Sequence, residues 1–174
     1  MTGTHALDTL GWDEEFASAA ASLAERTDAS LEPGRVVRVD RGEVDVALGS
    51  SPDDVVRATT TTAAKDCVAG DWCLLDLVAK RVEAVLPRRT AFVRRAARGA
   101  LGSQTLAANM DVVVVVQALD PGLNARRLER ELVLAHQSGA TPVVVLTKTD
   151  LVEVAVVDAA VDAARRSAPG VEVI

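Results

Sequence analysis

Apolar positions recur at helical spacing over residues 13–25, where Phe16, Ala19, Ala20, Leu23 and Ala24 fall on one face. Asp13, Glu14 and Glu15 open that stretch and oppose the positive end of the helix dipole. The pattern predicts an amphipathic helix anchored by Trp12 just ahead of it. From Pro33 the period changes to two. "GRVVRVDRGEVDVALGS" (34–50) alternates around an Asp-Arg-Gly turn at 40–42 and predicts a hairpin. "DVVRATTTTAA" (54–64) reads as a strand, and "AGDWCLLDLVAKRVEAVLPRRT" (69–90) as two more about a break at 79–81, ended by Pro87. Five short strands in roughly 55 residues point to a small closed barrel, with the OB type fitting the strand count and SH3-like barrels fitting almost as well.

Residues 94–108 are basic, small and glycine-containing, with little periodicity, and are expected to form a linker. "DVVVVVQAL" (111–119) is a continuous β-branched run, expected of a strand covered on both faces. Asn124 is placed to cap a helix carrying Leu128, Leu132 and Ala135, which Gly139 ends. "PVVVLT" (142–147) is a second strand, Val154, Val157, Val161 and Ala164 mark a second helix, and "VEVI" (171–174) begins a third strand. This alternation predicts parallel pairing with right-handed crossovers. The expected organisation is an N-terminal helical extension (1–29), a five-stranded OB-fold β barrel (30–93), a linker (94–108) and the first part of a three-layer α/β parallel-sheet domain (109–174).

Composition alters this picture in a few places. No uncharged apolar run approaches the ~20 residues of a membrane span, and residues 1–30 show no secretory signal, so a cytoplasmic protein without membrane contact is expected. Cys67 and Cys73, with His5 and His136 far off, read as reduced half-buried thiols rather than a disulfide or a metal site. The net charge of −6 argues against a general nucleic-acid binder, but it hides an asymmetry. Acids dominate residues 1–30, whereas 80–98 carry Lys80, Arg81, Arg88, Arg89, Arg94, Arg95 and Arg98 against Glu83 alone. With Arg38 and Arg41 of the hairpin, these cations are the RNA-binding candidates. Aromatics are scarce, so backbone and shape contacts should outweigh base stacking, and Trp72 and Phe92 are expected in the core.

The distinctive chemistry lies at Thr147-Lys148-Thr149-Asp150, which follows a buried strand and enters a helix. Ligands of open parallel sheets bind at the carboxyl ends of strands. A carboxylate there can accept two parallel hydrogen bonds from guanine's ring N–H and exocyclic amine, a donor pair adenine lacks, while the lysine stem lies along the purine. Buried pairing of this kind rejects the wrong base by roughly 10⁴-fold. A phosphate loop of the form Gly-x₄-Gly-Lys-Ser/Thr is not found, since no two glycines lie five apart, and neither is Gly-x-Gly-x-x-Gly. A base contact of ~1–3 kcal/mol falls short of the ~4 kcal/mol of millimolar binding. Weak nucleotide binding at most is expected of these residues alone.

Several stretches in combination resemble the ribosome small-subunit-dependent GTPases of the RsgA (YjeQ) type. They are "LGWDEEF" (10–16), "PGRVVRVDRG" (33–42), "AGDW" (69–72), "LPRRTAFVRR" (86–95), "QTLAANMDVVVVV" (104–116) and "LNARRLERELVLAHQSGATPVVVLTKTDL" (123–151). The resemblance implies an OB-fold that docks on 16S rRNA of the 30S subunit and a circularly permuted, P-loop GTPase-like domain in which the guanine-reading segment precedes the phosphate loop. It implies late small-subunit maturation with ribosome-stimulated GTP hydrolysis, GTP or GDP with Mg²⁺ as ligand, and Zn²⁺ in a C-terminal region. The guanine-reading role carries over to Thr147, Lys148 and Asp150, with Thr147 standing where the wider motif has Asn. No catalytic residue or metal ligand can be assigned in this chain. The reading expects a fragment that binds no cofactor and hydrolyses no GTP alone, and whose strand 111–118 invites non-native self-association. The alternative is a stand-alone OB-type RNA-binding module with a non-catalytic α/β appendage. A dinucleotide-type enzyme is disfavoured by the absent glycine fingerprint.

Overall fold

The computed structural model describes residues 6–25, 30–49, 51–95 and 103–174. Its contacts divide into two compact units, Met1–Arg89 with Thr105–Asn109, and Thr90–Gln104 with Met110–Ile174.

In the first unit, helix α1 (Glu14–Ala24) begins where expected because the Asp13 carboxylate accepts hydrogen bonds from the amides of Glu15 (3.1 Å) and Phe16 (3.2 Å). Its apolar face, with Phe16, Ala20, Ala19, Leu23 and Ala24, packs with Trp12 against Trp72, Leu74 and Leu86. Trp12 meets Trp72 edge-on at 4.9 Å between ring centroids, a favoured aromatic geometry.

Strands β1 (Glu32–Asp40), β2 (Glu43–Ala47), β3 (Val55–Thr60), β4 (Trp72–Asp76) and β5 (Arg81–Val85) close in the order β1-β2-β3-β5-β4. The β3–β5 contact is parallel and the other pairings are antiparallel, which is the OB-type arrangement. Closure leaves the barrel without an open edge. Val36, Val44, Val46, Ala58, Leu75 and Val82 fill it. Cys67 and Cys73 are free and fully buried rather than half-buried. Burial pushes the Cys67 thiol up to about 12 and the Cys73 thiol well above its ordinary value, so both are chemically quiet.

The stretch expected as a linker contains structure. Strand β6 (Ala91–Arg95) and strand β7 (Ser103–Ala108) form a two-stranded sheet. Residues 105–109 belong to the barrel unit. There the Ala108 amide donates to the Ala69 carbonyl (3.0 Å), and Ala69 bridges Ala107. Asn109 donates from Nδ2 to the Gly70 carbonyl (3.1 Å) and accepts at Oδ1 from the Arg89 amide (2.9 Å). Small residues without periodicity read as mobile in the sequence, but here smallness permits close backbone approach.

In the second unit, β8 (Val112–Ala118), α2 (Ala125–Gln137), β9 (Thr141–Thr147), α3 (Val154–Ser167) and β10 (Glu172–Val173) form a parallel sheet in the order β10-β9-β8. Asn124 caps α2 by accepting from the Arg127 amide (3.0 Å), and Gly139 follows in the left-handed conformation (φ 85°). Leu128, Leu132, Ala135, Ala160 and Ala164 of the two helices share one core with Val115, Val144 and Leu146. Both helices therefore cover the same face of this partial sheet. The expectation that β8 is covered on both sides is corrected accordingly. Val112, Val114 and Val116 are 50%, 54% and 52% exposed, while Val115 is buried. A run of valines has the same appearance whether one face or both are buried. Val154, expected on the buried face of α3, is also exposed. No helix among the described residues is long and apolar enough to cross a membrane.

Candidate functional site

β9 delivers its last residue, Thr147, to the carboxyl end of the sheet beside β8. The Leu119 amide donates to the Thr147 carbonyl (3.0 Å), and the Thr147 hydroxyl donates to the Gln117 carbonyl (3.5 Å). Thr147 is thus tied to the neighbouring strand. Behind it, Gln117 is only 4% exposed and donates from Nε2 to Glu131 (2.5 Å), whose other oxygen accepts from Arg127 Nε (2.7 Å). A buried amide needs such a partner, because leaving it unmet costs about 1–3 kcal/mol. The sequence reading passed over Gln117; its single polar side chain within the valine run was the available signal.

After Thr147 the chain turns sharply. Lys148 adopts the left-handed conformation (φ 59°), and a 3-10 turn follows over Thr149–Leu151, with the Leu151 amide donating to the Lys148 carbonyl (3.2 Å). That conformation is unfavourable for a non-glycine residue, typically by about 1–2 kcal/mol, and points to a constrained turn. Lys148 and Asp150 are exposed, and neither side chain has a partner among the described residues. Asp150 borders an open hollow shared with Leu151, Val152, Glu153, Val154 and Val156. The turn thus offers two unengaged carboxylate oxygens close in sequence to an exposed lysine, an acceptor pair of the kind that paired N–H groups can meet. For phosphate or magnesium the fit fails: the chain has no Gly-x₄-Gly-Lys-Ser/Thr stretch, and no group of three potential metal ligands occurs among the described residues.

The nine candidate RNA-binding cations separate into distinct groups. Arg88 is held inside the first unit: its Nε and Nη2 donate to the two oxygens of Asp71 (2.7 and 2.8 Å), a carboxylate with no solvent exposure. Arg89 pairs with Asp13 (2.6 Å) and Glu15 (2.7 Å) and lies over the Phe16 ring at 3.9 Å. The Arg89 guanidinium holds the Asp13 carboxyl down to about 2. Arg38 is close to Asp40 (3.6 Å) and Arg81 to Glu83 (2.6 Å). Arg41, Lys80 and Arg94 are exposed and form no ion pair among the described residues. Arg98 and the Arg95 side chain lie outside the described residues. Trp72 is core, as expected, whereas Phe92 is half-buried.

The described residues thus form an OB-type barrel and a parallel sheet with the Thr147–Asp150 turn at the carboxyl end of its middle strand. The RsgA GTPase family model matches residues 85–174, more than half of the chain. The chain belongs to the RsgA GTPase family. It is 43% identical, over 97% of its length, to the small ribosomal subunit biogenesis GTPase RsgA of Streptomyces coelicolor, and 38% identical, over 99%, to the protein of the same name from Streptomyces avermitilis. It covers 47% of each, so the chain spans about half the length of these curated relatives. Among solved structures, it is similar in fold to YloQ, a circularly permuted GTPase (TM-score 0.60, 19% identity, 83% of this chain and 50% of that one). It is likewise similar to YjeQ from Thermotoga maritima (TM-score 0.61, 18% identity, 83% and 51%).

Proposed function

We propose that this chain carries the guanine-reading part of a small-subunit biogenesis GTPase, with Asp150 as the base-specific acceptor, Lys148 as the purine-flanking stem and Thr147 as the anchor of the turn. The observation that carries this reading is the unengaged Asp150 carboxylate on the turn after β9. GTP hydrolysis, with its magnesium, belongs in this proposal to the family's whole length, of which this chain spans about half. The residues present supply base recognition; no step of phosphate chemistry is assigned to them. Cytoplasmic localisation and action in 30S maturation follow from the same reading. Amide resonances of residues 147–151 are expected to move on titration with GMP and not with AMP, and D150A is expected to remove the difference. Equal responses to the two nucleotides in the parent chain would overturn the assignment.

Contact with 16S rRNA is proposed through the barrel, at the connections that carry Arg41 and Lys80. Glu43 opens β2 and Arg81 opens β5 on opposite sides of Thr59, so these two connections flank the end of β3. Arg88 and Arg89 are excluded from this surface by their internal partners. R41A and K80A are each expected to lower the log–log salt slope of binding to small-subunit RNA by about 0.7–0.9. An unchanged slope in both variants would count against the surface.

A further inference from the structure

The hairpin that carries Arg41 has, by itself, the wrong charge for contact with RNA. From Arg38 to Asp45 it sets Arg38 and Arg41 against Asp40, Glu43 and Asp45, an anionic balance that repels phosphate. The compensating charge comes from β3. Arg57 lies directly opposite Asp45 of β2, and Asp45 lies opposite Arg38 of β1, so the three form one row across the outer face of the barrel. Val44, Val46 and Ala58, which alternate with this row, are buried. Glu43, opposite Thr59, is the diagonal neighbour of Arg57.

Every guanidinium nitrogen of Arg57 donates to one of these acids. Nε and Nη2 donate to Glu43 (3.1 and 3.0 Å), Nη1 donates to Asp45 (3.1 Å), and Nη2 also reaches Asp40 (3.4 Å). Asp40 connects this cluster to the tip. Its Oδ1 accepts from the Arg41 amide (3.0 Å), while its Oδ2 faces Arg57 and lies 3.6 Å from Arg38. Arg57 therefore neutralises the acids on both sides of Arg41 and anchors the carboxylate that orders the Arg41 main chain. Its own guanidinium is already engaged, so it is not the cation that a phosphate meets. Exposed ion pairs of this kind add little to stability. Their larger consequence is the field at the hairpin tip.

We propose that Arg57 is a positioning residue for RNA binding by the barrel: it holds Asp40, Glu43 and Asp45 against β3, so that Arg41 meets the RNA backbone without a competing carboxylate. The inference rests on the RNA surface proposed above at Arg41 and Lys80. Without Arg57 the three acids turn to solvent around the tip, and the hairpin returns to its anionic balance. Removing one compensating charge at this range weakens phosphate binding by roughly 3–10-fold at low salt, and by less as added salt screens the tip.

Filter binding of the full chain to small-subunit RNA at low salt tests this with two variants. R57A should bind roughly 3–10-fold more weakly than the parent. R57A/E43Q, which restores the parent's charge balance with Arg57 still gone, should recover most of that loss. Hydrogen exchange of R57A should show the Arg41 amide less protected, with the amides of Val44 and Val46 as protected as in the parent. If R57A/E43Q binds as weakly as R57A, Arg57 touches RNA itself and the proposal is overturned. It is equally overturned if R57A binds like the parent while R41A weakens binding, a result that leaves the RNA surface standing. Loss of protection at Val44 and Val46 would also sink it, because Arg57 would then be supporting the barrel rather than the tip. A parent chain that binds no RNA removes the surface and this inference together.

Discussion

Replacing Arg88 with alanine is expected to destabilise the barrel unit by about 3–5 kcal/mol, the cost of breaking a buried ion pair from one side. The reason lies with the residue left behind. Asp71 has no solvent exposure; Arg88 supplies two of its donors, and the Val68 amide (2.8 Å) and the Cys67 thiol are the others. Without the guanidinium, a charge remains inside the protein with one amide and a weakly donating thiol to solvate it. Arg88 also donates to the Asp66 carbonyl (3.0 Å) and reaches Thr105 Oγ1 (3.4 Å), so its loss loosens the connection before β4 and the strap at 105–109 together. R88K should recover only part of the loss, because an ammonium cannot make the paired fork contact. Urea denaturation followed by tryptophan fluorescence reads this directly, since Trp72 is buried in the adjoining core. A loss below about 1 kcal/mol, the range of exposed ion pairs, would show that Asp71 is solvated by some other route.

The second large effect is expected at Gly70. Its φ of 91° is unfavourable for any side chain, and a Cβ built there would lie 1.9 Å from the Ala108 carbonyl oxygen. The obstacle is main chain, so relief requires moving the strap rather than rotating a side chain. G70A is expected to cost more than about 3 kcal/mol, beyond the ordinary range for single substitutions. It should release residues 105–109 while leaving the barrel interior folded. The contacts at risk are the Ala108–Ala69 bond, the Asn109 amide on the Gly70 carbonyl, and the Arg35 guanidinium on the Asn109 carbonyl (2.8 Å). Hydrogen exchange discriminates sharply here: the Ala108 amide should lose protection in G70A, and amides of β2 and β4 should keep theirs. Protection retained at Ala108 would mean that the strap can shift and re-form its bonds.

These two sites show where a linear reading stops. The run 80–98 is dense in cations, and a linear reading treats Arg88 and Arg89 like the rest as RNA-binding candidates. Arg88 is instead neutralised by Asp71, 17 positions earlier, and Arg89 by Asp13, 76 positions earlier. Which cations remain available is decided by partners that folding brings together. The strap at 105–109 was hidden for a related reason, because its only strong signal is a glycine in another segment that leaves room for it. The valine run of β8 failed differently. Periodicity reports which faces are apolar, but whether an apolar face is covered depends on what packs there.

Local determinants were legible throughout. Asp13 and Asn124 cap the helices they precede, Gly139 closes α2, and the alternation from 34 to 60 builds the strands it predicts, because backbone geometry and side-chain spacing act over a few residues. The turn at 147–151 was readable for the same reason: strand, turn and acid are contiguous. Tertiary structure alone decided that the barrel closes through a parallel β3–β5 contact, that Thr147 is tied to Gln117 while Asp150 stays free, and that both helices share one face of the sheet. Each depends on groups distant in the chain meeting at hydrogen-bonding range, where desolvation and packing select one arrangement among several that local preference permits equally.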